Sequence, residues 1–337
     1  MNWRASLQLA SVYVGTVVGA GFATGREIVE FFSRYGLFGL GGILISGLCF
    51  IAFGVKIMKL AIRLKAGSFH QLNVHMYGPY ITPVINLLMF IMLLGVTAVM
   101  LSGAGSVFSE QLHLPKIFGI LLTMILALIT LTIGTKGLVY VNSLVVPLLI
   151  AFSFMLAVLS FRTDGFIDNV LWAPDFEWGS FTSAFAYAAF NIMLTSAVLV
   201  PAANEIGDER VVKTGGILGG LALTIILIFS HVTLVQLPSL QSYHIPMAVM
   251  MNRLAGSLYF LYIIIIYGEI FTSVVGNIYG LERFIRKKVH VHSFVAGLFL
   301  FSIAFMFSLI DYGTLLSLLY PLFGYISLFF LVLLLIR

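Results

Sequence analysis

The 337-residue chain is 61% hydrophobic and only 9% charged, whereas soluble domains carry about 25% charged residues. At about 20 apolar residues per crossing, a chain of this length forms about ten transmembrane helices and no sizeable soluble domain. The formal charge of +5 does not indicate a nucleic-acid partner, because the basic residues fall between apolar segments, as membrane topology requires. The sequence therefore predicts an all-α polytopic membrane protein that lies in the lipid bilayer.

Residue types also argue against an enzyme and against a bound cofactor. Cys49 is the only cysteine and lies within an apolar run, so the chain has neither a disulfide framework nor a thiolate metal site. The sequence contains no His-Glu-x-x-His motif, no paired intramembrane aspartates and no Gly-x-Ser-x-Gly elbow. We expect a protein that is not an enzyme and that uses no cofactor beyond a coupling ion.

In chain order, the apolar segments form two sets of five. The first set lies at about 5–33, 37–62, 82–111, 116–134 and 138–161. A polar loop follows at 162–179, and the second set lies at about 180–206, 211–236, 255–282, 291–310 and 313–336. The sequence therefore predicts ten membrane helices.

The two sets resemble each other, which indicates an internal repeat. Each opens with an interrupted segment that ends in a glutamate, Glu27 or Glu205, and each continues with a glycine-rich second helix. Because each set has an odd number of crossings, the second must be inserted upside down relative to the first. We expect repeats at 1–161 and 180–337, joined by an extracellular linker at 162–179.

The distribution of basic residues predicts the orientation in the membrane. With the N-terminus inside, most lysines and arginines fall on the cytoplasmic side, among them Lys287, Lys288 and Arg337. Both termini are therefore expected to be cytoplasmic.

The first segment carries four glycines through its middle, at Gly15, Gly19, Gly21 and Gly25. Each glycine weakens a helix by about 1 kcal/mol relative to alanine. The glycines either allow close helix packing, or mark a helix that stops at the midplane and restarts, leaving free backbone groups for a ligand. The density of glycines, followed directly by charged residues, favours a broken helix.

The sixth segment is the equivalent position in the second set, and it is also expected to be broken. Asn191, Thr195, Ser196 and Pro201 interrupt its apolar run, and proline removes a backbone donor. A proline kink alone is common in membrane helices. Two interrupted helices at equivalent positions point instead to a binding site between the repeats.

A zwitterion fits two such breaks, since freed N–H groups favour an anion and freed carbonyls favour a cation. We expect the carboxylate of an amino acid on the amides of Gly19, Ala20 and Gly21. Its ammonium group is expected on carbonyls near Phe190 and Asn191, with Thr195 also lining the site.

The eighth segment contains a possible ion site. Glu269, Thr272 and Ser273 stand at i, i+3 and i+4, so the two hydroxyls and the Glu269 carbonyl share one helix face. Such oxygens can bind a dehydrated sodium ion, although membrane Ser and Thr also commonly bond back to carbonyls one turn earlier. The Glu269 carboxyl could carry a proton or serve as a structural hydrogen-bonding group.

Other charged residues are expected nearer the membrane faces. Arg26 and Asp311 both fall near the outer face, where they could form a gate pair. For Glu27 and Glu205, a capping or snorkelling role is the simpler interpretation.

The run from Gly15 to Phe22, Gly-Thr-Val-Val-Gly-Ala-Gly-Phe, the two sets of five segments and the Thr272-Ser273 pair resemble the LeuT fold of amino acid, polyamine and organocation transporters. Extended through Glu27, the run is similar to that of the bacterial YkvI-type amino-acid permeases. In sodium-coupled members of the fold, carbonyls of the first and eighth helices and two hydroxyls form a cation site. The resemblance implies the cation ligands Gly15, Val18, Glu269, Thr272 and Ser273, and a location in the bacterial cell membrane.

These observations predict a secondary active transporter of a small amino acid or related organic solute that works by alternating access and is coupled to sodium. A proton-coupled permease that uses Glu269 is one alternative. An amino-acid receptor of the germinant-receptor type, which binds its ligand without moving it, is another.

Overall fold

The computed structural model describes residues 2–133, 136–286 and 291–336, and these are helical almost throughout. The basic residues Lys287, Lys288 and Arg337, used above to predict orientation, lie outside the described residues. The helices in chain order are α1 (Trp3–Val17), α2 (Ala20–Thr24), α3 (Arg26–Phe31), α4 (Leu37–Arg63), α5 (Phe69–Ser106), α6 (Lys116–Ile133), α7 (Lys136–Ser160), α8 (Phe166–Leu171), α9 (Gly179–Ile206), α10 (Glu209–Leu234), α11 (Pro246–Ala255), α12 (Tyr259–Arg286), α13 (Ser293–Ser308) and α14 (Tyr312–Ile336).

Six helical stretches are long and apolar enough to cross a membrane, judged by length and composition. Three shorter apolar helices accompany them in the part of the chain that the structure describes. The first predicted segment is divided among α1, α2 and α3, so none of its pieces is long enough alone. The protein is a multi-pass membrane protein, and all ten predicted segments coincide with helices or runs of short helices.

The third membrane helix begins earlier than the sequence predicts. Instead of starting near residue 82, α5 starts at Phe69, after Ser68 accepts a hydrogen bond from the Gln71 amide. Gly78, with φ of +75°, bends this helix just before Pro79. The preceding amphipathic stretch is therefore an additional length of helix that meets the membrane helix at a bend.

The expected break in the sixth segment is wrong, because α9 runs continuously from Gly179 to Ile206 with Pro201 inside it. The polar side chains of this segment bond to the helix's own carbonyls. Thr195 donates to the Ile192 carbonyl (3.3 Å) and Ser196 donates to the Met193 carbonyl (2.5 Å). Hydroxyl groups that bond back one turn are compatible with an intact membrane helix.

The helices form two packed groups. The first contains α1, α4, α9 and α10, with α4 packed against both α9 and α10, and α1 packed against α10 and α9. The second contains α5, α6, α12 and α13, which pack against one another. The short helix α2 follows α1 of the first group along the chain and packs against α12 of the second.

Close backbone approach holds the first group together. A methyl group built on Gly220 of α10 would lie 2.6 Å from the Ile51 Cγ1 atom of α4, and one built on Gly219 would lie 2.7 Å from the Tyr13 ring of α1. Tyr13 is fully buried and donates a hydrogen bond to the Phe50 carbonyl (2.9 Å). Small residues at such interfaces let membrane helices approach closely, so this group packs as one unit.

Candidate binding site at the break in the first membrane segment

The predicted interruption of the first membrane segment is confirmed. Helix α1 ends at Val17 and α2 begins at Ala20, while Val18 (φ −72°, ψ 97°) and Gly19 (φ −116°, ψ −171°) are extended. Within the described residues, no backbone amide donates to the Gly15 or Val18 carbonyl. The break therefore leaves carbonyl oxygens free in the middle of the membrane segment.

A second irregularity follows six residues later. Gly25 has a φ of +78° and separates α2 from α3. A methyl group at this position would also lie 2.5 Å from the Met247 side chain of α11. Because only glycine tolerates both this backbone conformation and this contact, the chain can turn here and bring α3 back toward α2.

The structure places the Ser273 hydroxyl of α12 beside the break. A methyl group built on Gly19 would lie 3.8 Å from the Ser273 hydroxyl oxygen. Thr272 is buried and donates to the Glu269 carbonyl (3.2 Å). This is the bond to a carbonyl one turn earlier that membrane threonines commonly make. A methyl group built on Gly15 would lie 3.9 Å from the Val146 side chain of α7. Ser273 and the break therefore share one site.

The predicted ammonium position on α9 is not formed. Asn191 donates its side-chain amide to the Tyr187 carbonyl (3.1 Å), and the surrounding backbone keeps its helical bonds. Phe190 packs against the Tyr320 ring, with centroids 5.0 Å apart. Phe190, Asn191 and Thr195 are all buried. Because α9 is continuous, it has no freed carbonyls near Phe190 to receive a cation.

Glu27 is a candidate functional residue that the sequence analysis missed. It is only 4% exposed, and a methyl group built on Gly21 would lie 2.4 Å from its Oε2 atom. The Asn191 amide and the Tyr187 hydroxyl are polar neighbours of the carboxyl group. The expected capping role near a membrane face is wrong for Glu27, because the turn at Gly25 carries its side chain back over α2.

Two buried carboxyl groups, one beside the break and one on α12, have an atom without a partner. Among the described residues, Glu27 Oε1 and Glu269 Oε2 are buried and make no hydrogen bond. Glu269 is 3% exposed and lies on α12, one turn before Ser273. Buried polar atoms normally have partners, so an unpaired carboxyl oxygen inside a membrane protein indicates that a proton or a ligand belongs there.

At the face of the molecule opposite the start of α1, here called the distal face, residues 239–246 contact both Arg26 and Asp311. Arg26 donates to the carbonyls of Gln241 (2.5 Å) and Tyr243 (3.1 Å). Asp311 contacts His244 Nε2 at 3.1 Å. The expected direct Arg26–Asp311 pair is not formed, because both side chains instead contact this loop.

Asp311 is held in its charged form at this face. Partial burial alone would raise the pKa of its carboxyl group. Hydrogen bonds from the Thr314 amide and hydroxyl, together with the charges of His244 and Lys116, outweigh that effect and leave the pKa below its ordinary value. The negative charge therefore persists at neutral pH.

The opposite side of the break, toward the start of α1, is here called the N-terminal face. Tyr262 of α12 bonds to the Ala23 carbonyl (3.1 Å), so the later residues of α12 run from Ser273 toward the N-terminal face. Ser273 and Asn277 are partly exposed, and Gly276 and Gly280 are exposed. These four residues form a polar, small-residue stripe on α12.

We expect this stripe to line a water-filled path. A Gly276→Cys substitution in a Cys49→Ala background should react with a thiol reagent that is soluble only in water, since nothing lies within 4 Å of a methyl group at Gly276. The measurement is labelling in reconstituted vesicles, compared with Leu298→Cys on the exposed surface of α13. Equal, negligible labelling at both positions would mean that the stripe faces lipid.

Comparisons with known proteins agree with this architecture. No protein-family model matches the chain. The uncharacterized membrane protein YkvI of Bacillus subtilis (strain 168) is 47% identical over 323 residues, covering 96% of this chain and 93% of that protein. The crystal structure of MhsT in complex with L-phenylalanine aligns with a TM-score of 0.65 at 16% identity, covering 92% of this chain and 79% of MhsT.

A manganese transporter from Eremococcus coleocola aligns with a TM-score of 0.67 at 15% identity, covering 98% of this chain and 79% of that protein. At these identities the structural matches establish the fold, which is the LeuT fold, while the YkvI match establishes the family. The chain therefore belongs to the YkvI family of membrane proteins.

Proposed function

We propose that the protein is a cation-coupled secondary transporter of a small amino acid or related organic solute. The observation that carries this proposal is the break at Val18 and Gly19, which faces the Ser273 hydroxyl and lies between two helix groups. Free carbonyls and hydroxyls at the midplane are how transporters of this fold bind substrates and ions. The site has no described cluster of three His, Cys, Asp or Glu residues that could hold a metal.

Alternating access would come from movement between the two helix groups. The group of α1, α4, α9 and α10 would rock against the group of α5, α6, α12 and α13 around the site. Closure by residues 239–246 at the distal face, with exposure of the α12 stripe at the other, corresponds to a state open toward the N-terminal face. In this proposal Arg26 and Asp311 form a gate because both side chains contact the loop of residues 239–246.

Sodium is the proposed coupling ion. Its ligands would be the carbonyls of Gly15, Val18 and Glu269 and the hydroxyls of Thr272 and Ser273. The free Gly15 and Val18 carbonyls and the approach of Ser273 to Gly19 support this set. The amides of Gly19, Ala20 and Gly21 remain the proposed contact for a substrate carboxylate.

The proposed location is the bacterial cell membrane, with both termini in the cytoplasm and with inverted repeats at 1–161 and 180–337 joined by an extracellular linker at 162–179. In this orientation the exposed α12 stripe faces the cytoplasm. The distribution of basic residues supports this orientation.

The test is uptake of labelled amino acids into proteoliposomes with an imposed sodium gradient, an imposed proton gradient, or neither. Accumulation driven by sodium supports the proposal. Accumulation driven only by protons supports the variant in which the unpaired Glu269 carboxyl carries the proton. Saturable binding without accumulation under any gradient would show a receptor instead.

We expect a Thr272→Ala/Ser273→Ala double variant to lose sodium stimulation of uptake by tenfold or more while expressing normally. The hydroxyls supply two of the five proposed ligands. Without them, the remaining ligands replace too little of the water shell that the sodium ion loses on binding. The measurement is initial uptake rate against sodium concentration.

The matched control is Thr132→Ala/Ser302→Ala. Both of these hydroxyls are exposed and bond to carbonyls of their own helices, α6 and α13. This variant should keep the sodium dependence of the parent. Unchanged sodium activation in the Thr272→Ala/Ser273→Ala variant would contradict the proposed ligands.

A further inference from the structure

The Glu27 carboxyl group lacks a cationic partner. Its neighbour Arg26 directs its guanidinium to the Gln241 and Tyr243 carbonyls. The other arginine of this segment, Arg34, is paired with Glu30 at 2.5 Å. Among the described residues, no lysine, arginine or histidine forms an ion pair with Glu27. A carboxylate that is buried in a membrane segment normally has a partner, so either a proton or a bound cation must balance Glu27.

The surroundings of Glu27 suit an ammonium group. The Tyr187 hydroxyl of α9 is buried beside the Glu27 carboxyl group and can donate to it, which leaves the lone pairs of the hydroxyl unused. Glu27 Oε1 makes no hydrogen bond within the described part of the chain. The Tyr320 ring of α14 borders the same point, because a methyl group built on Gly21 would lie 3.3 Å from this ring and also against Glu27 Oε2. An ammonium group carries three donors and is attracted to aromatic rings. The site therefore offers unused acceptors and aromatic surface in one place.

The continuous helix α9 strengthens this assignment. If the sixth segment were broken, its free carbonyls could hold the amine of a substrate, but Asn191 and its neighbours belong to an intact helix. Glu27 lies against Gly21, two residues after the break at Val18 and Gly19, so its carboxyl group is close to the broken backbone. Because α9 supplies no free carbonyls, the Glu27 carboxylate is the group at this site that can bind a cation.

From these contacts, we infer that the Glu27 carboxylate binds the protonated amine of the substrate, with the Tyr187 hydroxyl as a second acceptor. The inference rests on the proposed transport function and narrows its substrate class to solutes that carry a primary amine. A substrate carboxylate is then a secondary feature, because the charged anchor is the amine.

The first test uses the unmodified protein and three matched series of compounds. These are L-leucine with isoamylamine and 4-methylpentanoate, L-phenylalanine with phenethylamine and 3-phenylpropanoate, and L-serine with ethanolamine and 3-hydroxypropanoate. In the series that binds, the amine should bind within about tenfold of the amino acid, while the acid that lacks the amine should not bind. Equal or tighter binding of the acid, or no binding of any amine, would overturn the inference.

The second test removes the charge and keeps the shape. Glu27→Gln should weaken binding of the amino acid and the amine by about 10- to 100-fold, the loss expected for a hydrogen bond to a charged group. The control is Glu30→Gln, which removes a carboxylate from the same short helix but leaves Glu27 in place. Glu30→Gln should bind as the unmodified protein does.

A glutamine also resembles a protonated glutamic acid, which separates the inference from a structural or proton-carrying role. If Glu27 were neutral or only carried a proton, Glu27→Gln would keep amine affinity, and this outcome would overturn the inference. Gly21→Ala is a second variant, since its methyl group would lie 2.4 Å from Glu27 Oε2 and displace the carboxylate without changing any charge. It should also weaken amine binding.

Uptake measurements distinguish failure of this inference from failure of transport. If the protein accumulates substrate under a gradient and Glu27→Gln binds the amine as tightly as the unmodified protein does, the transport proposal stands and the amine site at Glu27 is contradicted. If amine binding depends on Glu27 but no gradient drives accumulation, the amine site stands and the transport proposal is contradicted. Melting temperatures of all variants, measured in the same detergent, show whether any loss of binding reflects loss of folded protein.

Discussion

Replacing Gly39 by alanine is expected to prevent recovery of folded protein. A methyl group at Gly39, in the first turn of α4, would lie 1.9 Å from the Phe32 carbonyl oxygen and 2.6 Å from its carbonyl carbon. This is the shortest such distance among the described glycines. Because the obstacle is backbone rather than a flexible side chain, the turn between α3 and α4 must move.

The cost should exceed the 1–3 kcal/mol typical of overpacked cores. Moving this turn displaces Phe32, which is fully buried and packs with the Tyr187 ring at a centroid distance of 4.8 Å. The measurement is the fraction of monodisperse protein after detergent extraction, with the melting temperature of whatever is recovered.

Gly41→Ala is the matched control, because Gly41 lies on the same helix and nothing is within 4 Å of a methyl group there. Alanine is preferred over glycine inside a helix by about 1 kcal/mol, so Gly41→Ala should melt at the same temperature or slightly higher. Similar behaviour of the two variants would show that the turn before α4 is more adaptable than its close contact suggests.

Hydrophobic patterning predicted the membrane helices well, because bilayer thickness and backbone hydrogen bonding allow few alternatives to helices of about 20 apolar residues. The break in the first segment was also predictable, since Gly15, Gly19, Gly21 and Gly25 together disfavour a continuous helix. The separate roles of these glycines were not predictable from the sequence. The break falls at Val18 and Gly19, while Gly25 provides a separate turn with positive φ.

The sixth segment shows why polar residues alone do not predict a broken helix. Thr195 and Ser196 bond to carbonyls of their own helix, and Asn191 does the same. Whether such residues open a helix or cap its carbonyls depends on the groups packed against them, which a single sequence does not show. The prediction that α9 carbonyls bind the ammonium group of the substrate was therefore less reliable than the prediction of a break in the first segment.

Glu27 was missed for a geometric reason. Counting residues along a straight helix places it near a membrane face, but the turn at Gly25 returns its carboxyl group to Gly21. The signal in the sequence was the glutamate two residues after a glycine in a segment already expected to be irregular. Charged residues that follow a helix break closely deserve to be tested as site residues.

Replacing Arg26 by alanine is expected to reduce uptake at least tenfold by releasing the closure of the distal face. Its guanidinium donates to the Gln241 and Tyr243 carbonyls and so ties α3 to the loop of residues 239–246. Hydrogen bonds from a charged group contribute about 1.5–3 kcal/mol each. If the closed state loses about 3 kcal/mol, the equilibrium between closed and open distal faces shifts by about 100-fold.

Thiol labelling can separate this conformational shift from simple inactivation. In alternating access, opening of the distal face accompanies closure of the other face, so Arg26→Ala should protect Gly276→Cys from the water-soluble reagent. Arg253→Ala, which removes an exposed charge from α11 at the same face, should leave both uptake and labelling unchanged. If Arg26→Ala lowers uptake while Gly276→Cys remains fully reactive, the arginine supports transport in some way other than holding the distal face closed.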